Sequence, residues 1–192
     1  MKESPHMHLK YKIAISGAAE TRHCGPSVLE LTKQVGAEVV RHGGICITGA
    51  TTGAPFWAAI GAKEAGGFVI GLSPASSEIE HVKKYRLPLD YHDMIVYTGF
   101  GYSGRNLFLT RAADGIIISC GRMGTLNEFT IAFEDQKPIG VLASPEWMTD
   151  DIIQKIIDEA HRGKGKVVWD ADPARLVEKV IELIKTDKVV EI

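Results

Sequence analysis

At 192 residues, with 45% hydrophobic and 24% charged residues, the chain has the size and composition of one ordinary globular domain. A net charge of −2 and a pI near 6.4 exclude the basic footprint of non-specific nucleic-acid binding. No apolar run approaches the length needed to span a bilayer.

The opening MKESPHMHLKY lacks the apolar core of a signal peptide, so residues 1–10 read as a flexible tail and the expected location is the cytoplasm. Three cysteines, Cys24, Cys46 and Cys120, fit reduced thiols; their odd count and wide spacing argue against a disulfide framework. The seven histidines form no metal-binding motif, and neither metal nor cofactor is expected.

Lys12–Ser16 (KIAIS) is the first predicted strand, ended by Gly17. A helix follows from Gly25-Pro26-Ser27 to about His42, with Val28, Leu31, Val35 and Val39 on its apolar face. Ile45–Thr48 is strand two, and GATTGAP leads into a helix from Pro55 to about Ala65. Phe68–Leu72 is strand three. Ser73–Tyr91 is ambiguous, with SSEIEHVKKY a possible short helix. Met94–Tyr97 is strand four, and a helix runs from about Ser103 to Ala113. Gly115–Ser119 (GIIIS) is strand five, too short an apolar run for a helix. A helix opens at Thr125 with Leu126, Phe129 and Phe133 on one face, and Pro138–Leu142 is strand six. Asp150–His161 is a helix, Lys166–Trp169 a seventh strand, and Asp172-Pro173 opens the last helix.

This alternation predicts an α/β domain: a doubly wound, mainly parallel, seven-stranded Rossmann-like sheet with helices on both faces. Ligands in such sheets bind beyond the carboxyl ends of the strands, where the strand order reverses. With an order of 3-2-1-4-5, the reversal falls between strands one and four. Gly17-Ala18 and Thr98–Gly104 would border it, with Gly121–Thr125 next door.

No GxGxxG follows strand one and no GxxxxGK[ST] is present, which argues against conventional NAD binding and a P-loop ATPase. Gly121-Arg122-Met123-Gly124-Thr125 joins a strand to a helix, and free amides at a helix N-terminus attract phosphate; the alternative is a plain tight turn. Arg122 clamps a phosphate there or projects into solvent. Thr125-Leu126-Asn127-Glu128 reads equally as a capping box and as a site carboxylate kept ionised by the helix terminus. Arg105, beside Gly104 at its helix start, can reach the ligand edge; Arg111, six residues on, lies deeper. Tyr102 is a candidate for stacking on a base. Cys120, with no adjacent His or Lys, reads as inert.

The stretch RNLFLTRAADGIIISCGRMGTLNEFTIAFEDQKPIGVL resembles the LOG, or lysine decarboxylase-like, family of the SLOG superfamily. That family's mark is PGGxGTxxE preceded by a helix bearing two arginines. Gly121, Gly124, Thr125 and Glu128 stand at its first glycine, later glycine, threonine and glutamate, and Arg105 and Arg111 keep the arginine spacing. The resemblance implies a homodimer that cleaves the N-glycosidic bond of nucleoside 5′-monophosphates, with Glu128 and Arg105 catalytic. Gly17, Ala18, Gly104, Arg111, Gly121, Arg122, Met123, Gly124 and Thr125 would hold a phosphorylated ligand. Here the motif's proline is Cys120, its second glycine Arg122, and the residue before the glutamate Asn127. Related SLOG branches, including molybdenum cofactor carrier-like proteins and nucleotide-derived signal sensors, bind without cleaving. The alternative expectation is such a binder; the partner in either case is a small molecule, with no nucleic acid and no membrane.

Overall fold

The computed structural model describes residues 10–187, so most of the expected N-terminal tail lies outside the described residues. Seven strands alternate with six helices: β1 (Lys12–Ser16), α1 (Val28–Arg41), β2 (Ile45–Thr48), α2 (Ala54–Glu64), β3 (Val69–Ser73), β4 (Met94–Tyr97), α3 (Gly101–Ala112), β5 (Gly115–Ile118), α4 (Met123–Glu134), β6 (Ile139–Leu142), α5 (Met148–Glu159), β7 (Val167–Asp170) and α6 (Pro173–Asp187). The ambiguous stretch after β3 holds one π-turn, Glu80–Lys84, rather than a full helix.

The strands form one sheet in the order β4-β3-β2-β1-β5-β6-β7, and every pairing is parallel. This corrects the expected order. The short β3–β4 connection returns β4 beside β3 at the sheet edge, so β5 and not β4 neighbours β1. The reversal therefore falls between β1 and β5, and the loops after those two strands face each other across it.

Both sheet faces are covered, which explains the uninterrupted apolar runs of the central strands. Ile13, Ile15 and Ile117 pack beneath α1, α2 and α6, with Val35, Ala58 and Val180 among the contacts. Ala14, Ile116 and Ile118 face α3, α4 and α5 through Leu109, Phe129 and Ile153. Alternate residues of one strand thus serve opposite layers. α1 and α2 approach almost backbone to backbone. A methyl group at Gly36 would lie 2.0 Å from the Ala58 carbonyl oxygen, and one at Gly61 1.9 Å from that of Lys33. No helix among the described residues is long and apolar enough to cross a membrane.

Candidate functional site

A cavity of about 290 Å³ opens at the carboxyl edge of the sheet, over the β1–β5 reversal. Its size is at the lower end for small-molecule pockets. The end of β1 contributes Ser16, Gly17 and Ala18; the loop after β2 contributes Gly49 and Thr51. α3 adds Tyr102, Arg105 and Asn106, and the start of α4 adds Arg122, Gly124, Thr125 and Glu128.

Glu128 and Arg105 meet in this wall, both nearly buried, with Arg105 Nη1 3.6 Å from Glu128 Oε1. Ser16 Oγ donates to Glu128 Oε2. Asn106 fits best with its Nδ2 turned toward Glu128 Oε1, at 2.9 Å, and the Tyr102 carbonyl, at 3.0 Å. Burial works against both charges. It pushes the Glu128 carboxyl above its usual range, opposed by the Arg105 charge and the Ser16 hydroxyl. It lowers the Arg105 guanidinium, opposed chiefly by Glu128. Gly49 makes room for this pair: a Cβ there would stand 1.6 Å from Arg105 Nη1. Arg105 Nε, buried, has no acceptor among the described residues, so one donor of a cation in the cavity wall is left over.

The structure corrects the capping-box reading. α4 begins at Met123 after an extended Arg122, with no side-chain cap, so Thr125 already lies inside the helix. Glu128, more than a turn in, points to Ser16 instead of back to the helix start. The expectation that the helix terminus governs Glu128 fails for the same reason: burial dominates. The first helical amides, Met123, Gly124 and Thr125, have no intrahelical partners by the geometry of a helix start.

Not every predicted site residue reaches the cavity. Gly121 does not line it, and its amide is taken by Thr149 Oγ1 at 2.9 Å. Met123 points outward, 79% exposed. Gly104 is turned toward Phe100, whose Cβ lies 2.5 Å from where a side chain would start. Arg111 sits at the far end of α3, with its Nε donating to Asp135 Oδ2 at 2.8 Å. Its distance from Arg105 along the helix carries it out of reach. Ser16, Gly49 and Asn106 were not singled out as site residues by sequence; their signal was position, at strand ends and one helical turn below the cavity mouth.

The cysteine expectation is also corrected. Cys24 and Cys120 form a disulfide, with Cα atoms 5.7 Å apart although the two lie 96 positions apart in sequence. The β1–β5 pairing brings their loops together, which spacing along the chain conceals. Cys46 is free and buried, its thiol pushed up to about 12 by burial.

Beside these loops Thr149 Oγ1 also donates to the Gly121 carbonyl at 3.0 Å, and the next residue, Asp150, is half-buried. Asp150 Oδ2 accepts from the Ser144 amide at 2.7 Å while Oδ1 is buried without a hydrogen-bond partner among the described residues. Burial raises its carboxyl to about 6. The folded protein therefore binds more protons than the unfolded chain between about pH 4 and 6, and this group's contribution to stability falls as pH rises through that window. Asp150→Asn is expected to flatten that dependence. After allowance for solvent screening, wild type should lose about 1 kcal/mol more than the variant between pH 5 and 7.5. Urea unfolding at the two pH values measures this, and parallel losses would show an ordinary Asp150.

An all-parallel sheet with a cavity at its strand-order reversal defines a Rossmann-like α/β protein. The match to the SLOG cluster4 family model extends over residues 10–177, and the chain belongs to that family. An uncharacterised protein of Archaeoglobus fulgidus is 28% identical over 134 residues, 70% of this chain and 81% of the relative. The molybdenum cofactor binding protein of Rippkaea orientalis is 28% identical with a TM-score of 0.72, over 93% of this chain and 98% of that one. The molybdenum cofactor carrier protein of Chlamydomonas reinhardtii is 26% identical with a TM-score of 0.72, over 92% and 99%.

Proposed function

We propose that this protein binds and carries a phosphorylated, nucleotide-like or pterin-type small molecule, without cleaving it. One observation carries the reading. The open amides at the start of α4, the Arg122 side chain and the spare Arg105 Nε all belong to the wall or mouth of one cavity. Helix-terminal amides and guanidinium groups are the donors an anionic ligand needs. The molybdenum cofactor proteins at 26–28% identity support a pterin-type ligand.

Cleavage of a nucleoside 5′-monophosphate is the second reading, favoured by Glu128 in the cavity wall. Its carboxylate is held by Ser16 and faced by Arg105, which leaves little negative charge to stabilise a cationic ribose. Calorimetric titration with AMP and a pterin monophosphate should give saturable binding. Arg122→Ala should weaken it about 10-fold or more, the scale of a lost charge-assisted hydrogen bond. Base released from a panel of monophosphates by the wild type would overturn the carrier reading in favour of the hydrolase.

Assembly as at least a homodimer belongs to the same proposal. β4 is an edge strand that exposes Met94 and Val96, and α3 exposes Phe108, stacked on Phe100 with ring centroids 5.2 Å apart. Large exposed apolar side chains of this kind mark association surfaces. Tyr102, on the same helix, lines the cavity, so a partner on this face would border the ligand. Light scattering at micromolar concentration should give twice the chain mass or more; a monomer would remove this part.

A further inference from the structure

We propose that Cys24 and Cys120 are a reversible dithiol–disulfide couple that clasps the two loops framing the cavity, with His23 positioned to activate Cys24. Cys24 lies in the loop after β1, whose Gly17, Ala18 and Ala19 form one side of the cavity. Cys120 lies in the loop after β5, whose Arg122, with Gly124 in the first turn of α4, forms the other. Among the described residues, hydrogen bonds also join the two segments: the Ala18 amide donates to the Cys120 carbonyl at 2.8 Å, and the Ser119 amide and Oγ both donate to the Ser16 carbonyl, at 2.9 and 3.0 Å. Trp147 Nε1 anchors the Cys24 carbonyl from a third loop at 2.6 Å. Beyond the paired strands, the disulfide is the covalent tie between these two loops among the described residues.

His23 marks this disulfide as more than a staple. Its imidazole is exposed, and its Nε2 lies 3.4 Å from Cys24 Sγ. A cationic or donating neighbour stabilises a thiolate, so Cys24 is the better leaving group on reduction and the sulfur that closes on the mixed disulfide at Cys120 on oxidation. Both sulfurs are buried, so exchange follows opening of the loop over residues 17–27. The co-reactant is a dithiol. Its thiolate attacks Cys120 Sγ, the S–S bond breaks, and Cys24 departs as a thiolate. The second thiol then closes on the mixed disulfide and expels Cys120, which takes a proton. Two electrons pass to the protein, leaving two cysteines and an oxidised dithiol; a disulfide of the same class reverses the steps.

The couple stands independently of the ligand; only its consequence for ligand retention rests on the carrier reading. Protein prepared without reductant should lose one disulfide to dithiothreitol while remaining folded, counted by alkylation and mass. Amide hydrogen exchange should then rise at least 10-fold over residues 17–24 and 119–125 and stay unchanged in β2, β3 and α6. Cys24→Ser should exchange like the reduced wild type, and serves if a Cys120 variant fails to fold. His23→Gln should slow reduction several-fold, and His23→Lys should restore it, which a merely structural histidine would not show. A pair that native dithiothreitol leaves intact, or reduction that leaves loop exchange unchanged, would overturn the proposal. Tight uptake of one zinc ion by the reduced protein would overturn it too, because the three side chains would then be metal ligands. If the clasp behaves as expected but AMP release is the same in both redox states, the consequence for ligand retention is overturned and the couple stands; absence of AMP binding in either state would sink the carrier reading alone.

Discussion

Replacing Glu128 with alanine is expected to destabilise the protein by about 3–5 kcal/mol, the scale for removing one partner of a buried ion pair. The Arg105 guanidinium keeps its charge and loses its counter-ion in a wall that burial already makes hostile to it. The Ser16 hydroxyl loses its acceptor at the same time. A mere capping residue would cost about 0.5–2 kcal/mol, so the two roles separate by size of effect. Glu128→Gln keeps an acceptor for Ser16 and should cost less than alanine. Arg105→Met combined with Glu128→Leu should recover much of the loss, because an apolar pair of similar volume removes both charges together. Urea unfolding of wild type, Arg105→Met, Glu128→Leu and the double variant gives the coupling. A loss below about 1 kcal/mol in Glu128→Ala would show that the pair is not coupled. Turnover measured in any Glu128 variant is to be read beside this stability change.

The elements were legible in sequence because their periods differ sharply. Lys12–Ser16, Ile45–Thr48 and Met94–Tyr97 begin and end as the apolar runs do. The order of the strands was not legible. It depends on whether the chain after β3 crosses the sheet or turns back, and a π-turn with few apolar residues signals neither. The same gap hid the disulfide, since only the β1–β5 pairing brings residues 24 and 120 together. The motif itself brought Arg105, Arg122, Gly124, Thr125 and Glu128 to one cavity, but it misjudged the local geometry. T-x-x-E looks like a cap wherever a helix begins at its threonine. Here α4 starts two residues earlier, which rotates Glu128 away from the helix terminus and toward β1. Gly121 was read as a phosphate amide, and a hydroxyl 28 residues further on claims it.

Gly53→Ala is expected to cost about 3–5 kcal/mol, from backbone strain and overpacking acting together. Gly53 precedes α2 with φ 71° and ψ −141°, a conformation side chains rarely adopt. A methyl group there would also lie 2.2 Å from the Ala18 carbonyl oxygen and 2.5 Å from that of Ala19. Neither carbonyl can retreat freely. The Ala54 amide donates to Ala18 at 2.9 Å, and Thr52 Oγ1 donates to Ala19 at 3.2 Å. Relief of the clash must therefore push the loop after β1 away from α2, and that loop forms one side of the cavity. Binding of AMP should weaken along with stability. Gly124→Ala is the control: its φ is not left-handed, no atom of the described residues outside its own helical turn lies within 4 Å of the added methyl, and it sits in the first turn of α4. Its stability should stay within about 0.5 kcal/mol of wild type. Thermal and urea unfolding of both variants test the contrast. If Gly53→Ala behaves like Gly124→Ala, the β1 loop is not held against α2 in the way its hydrogen bonds describe.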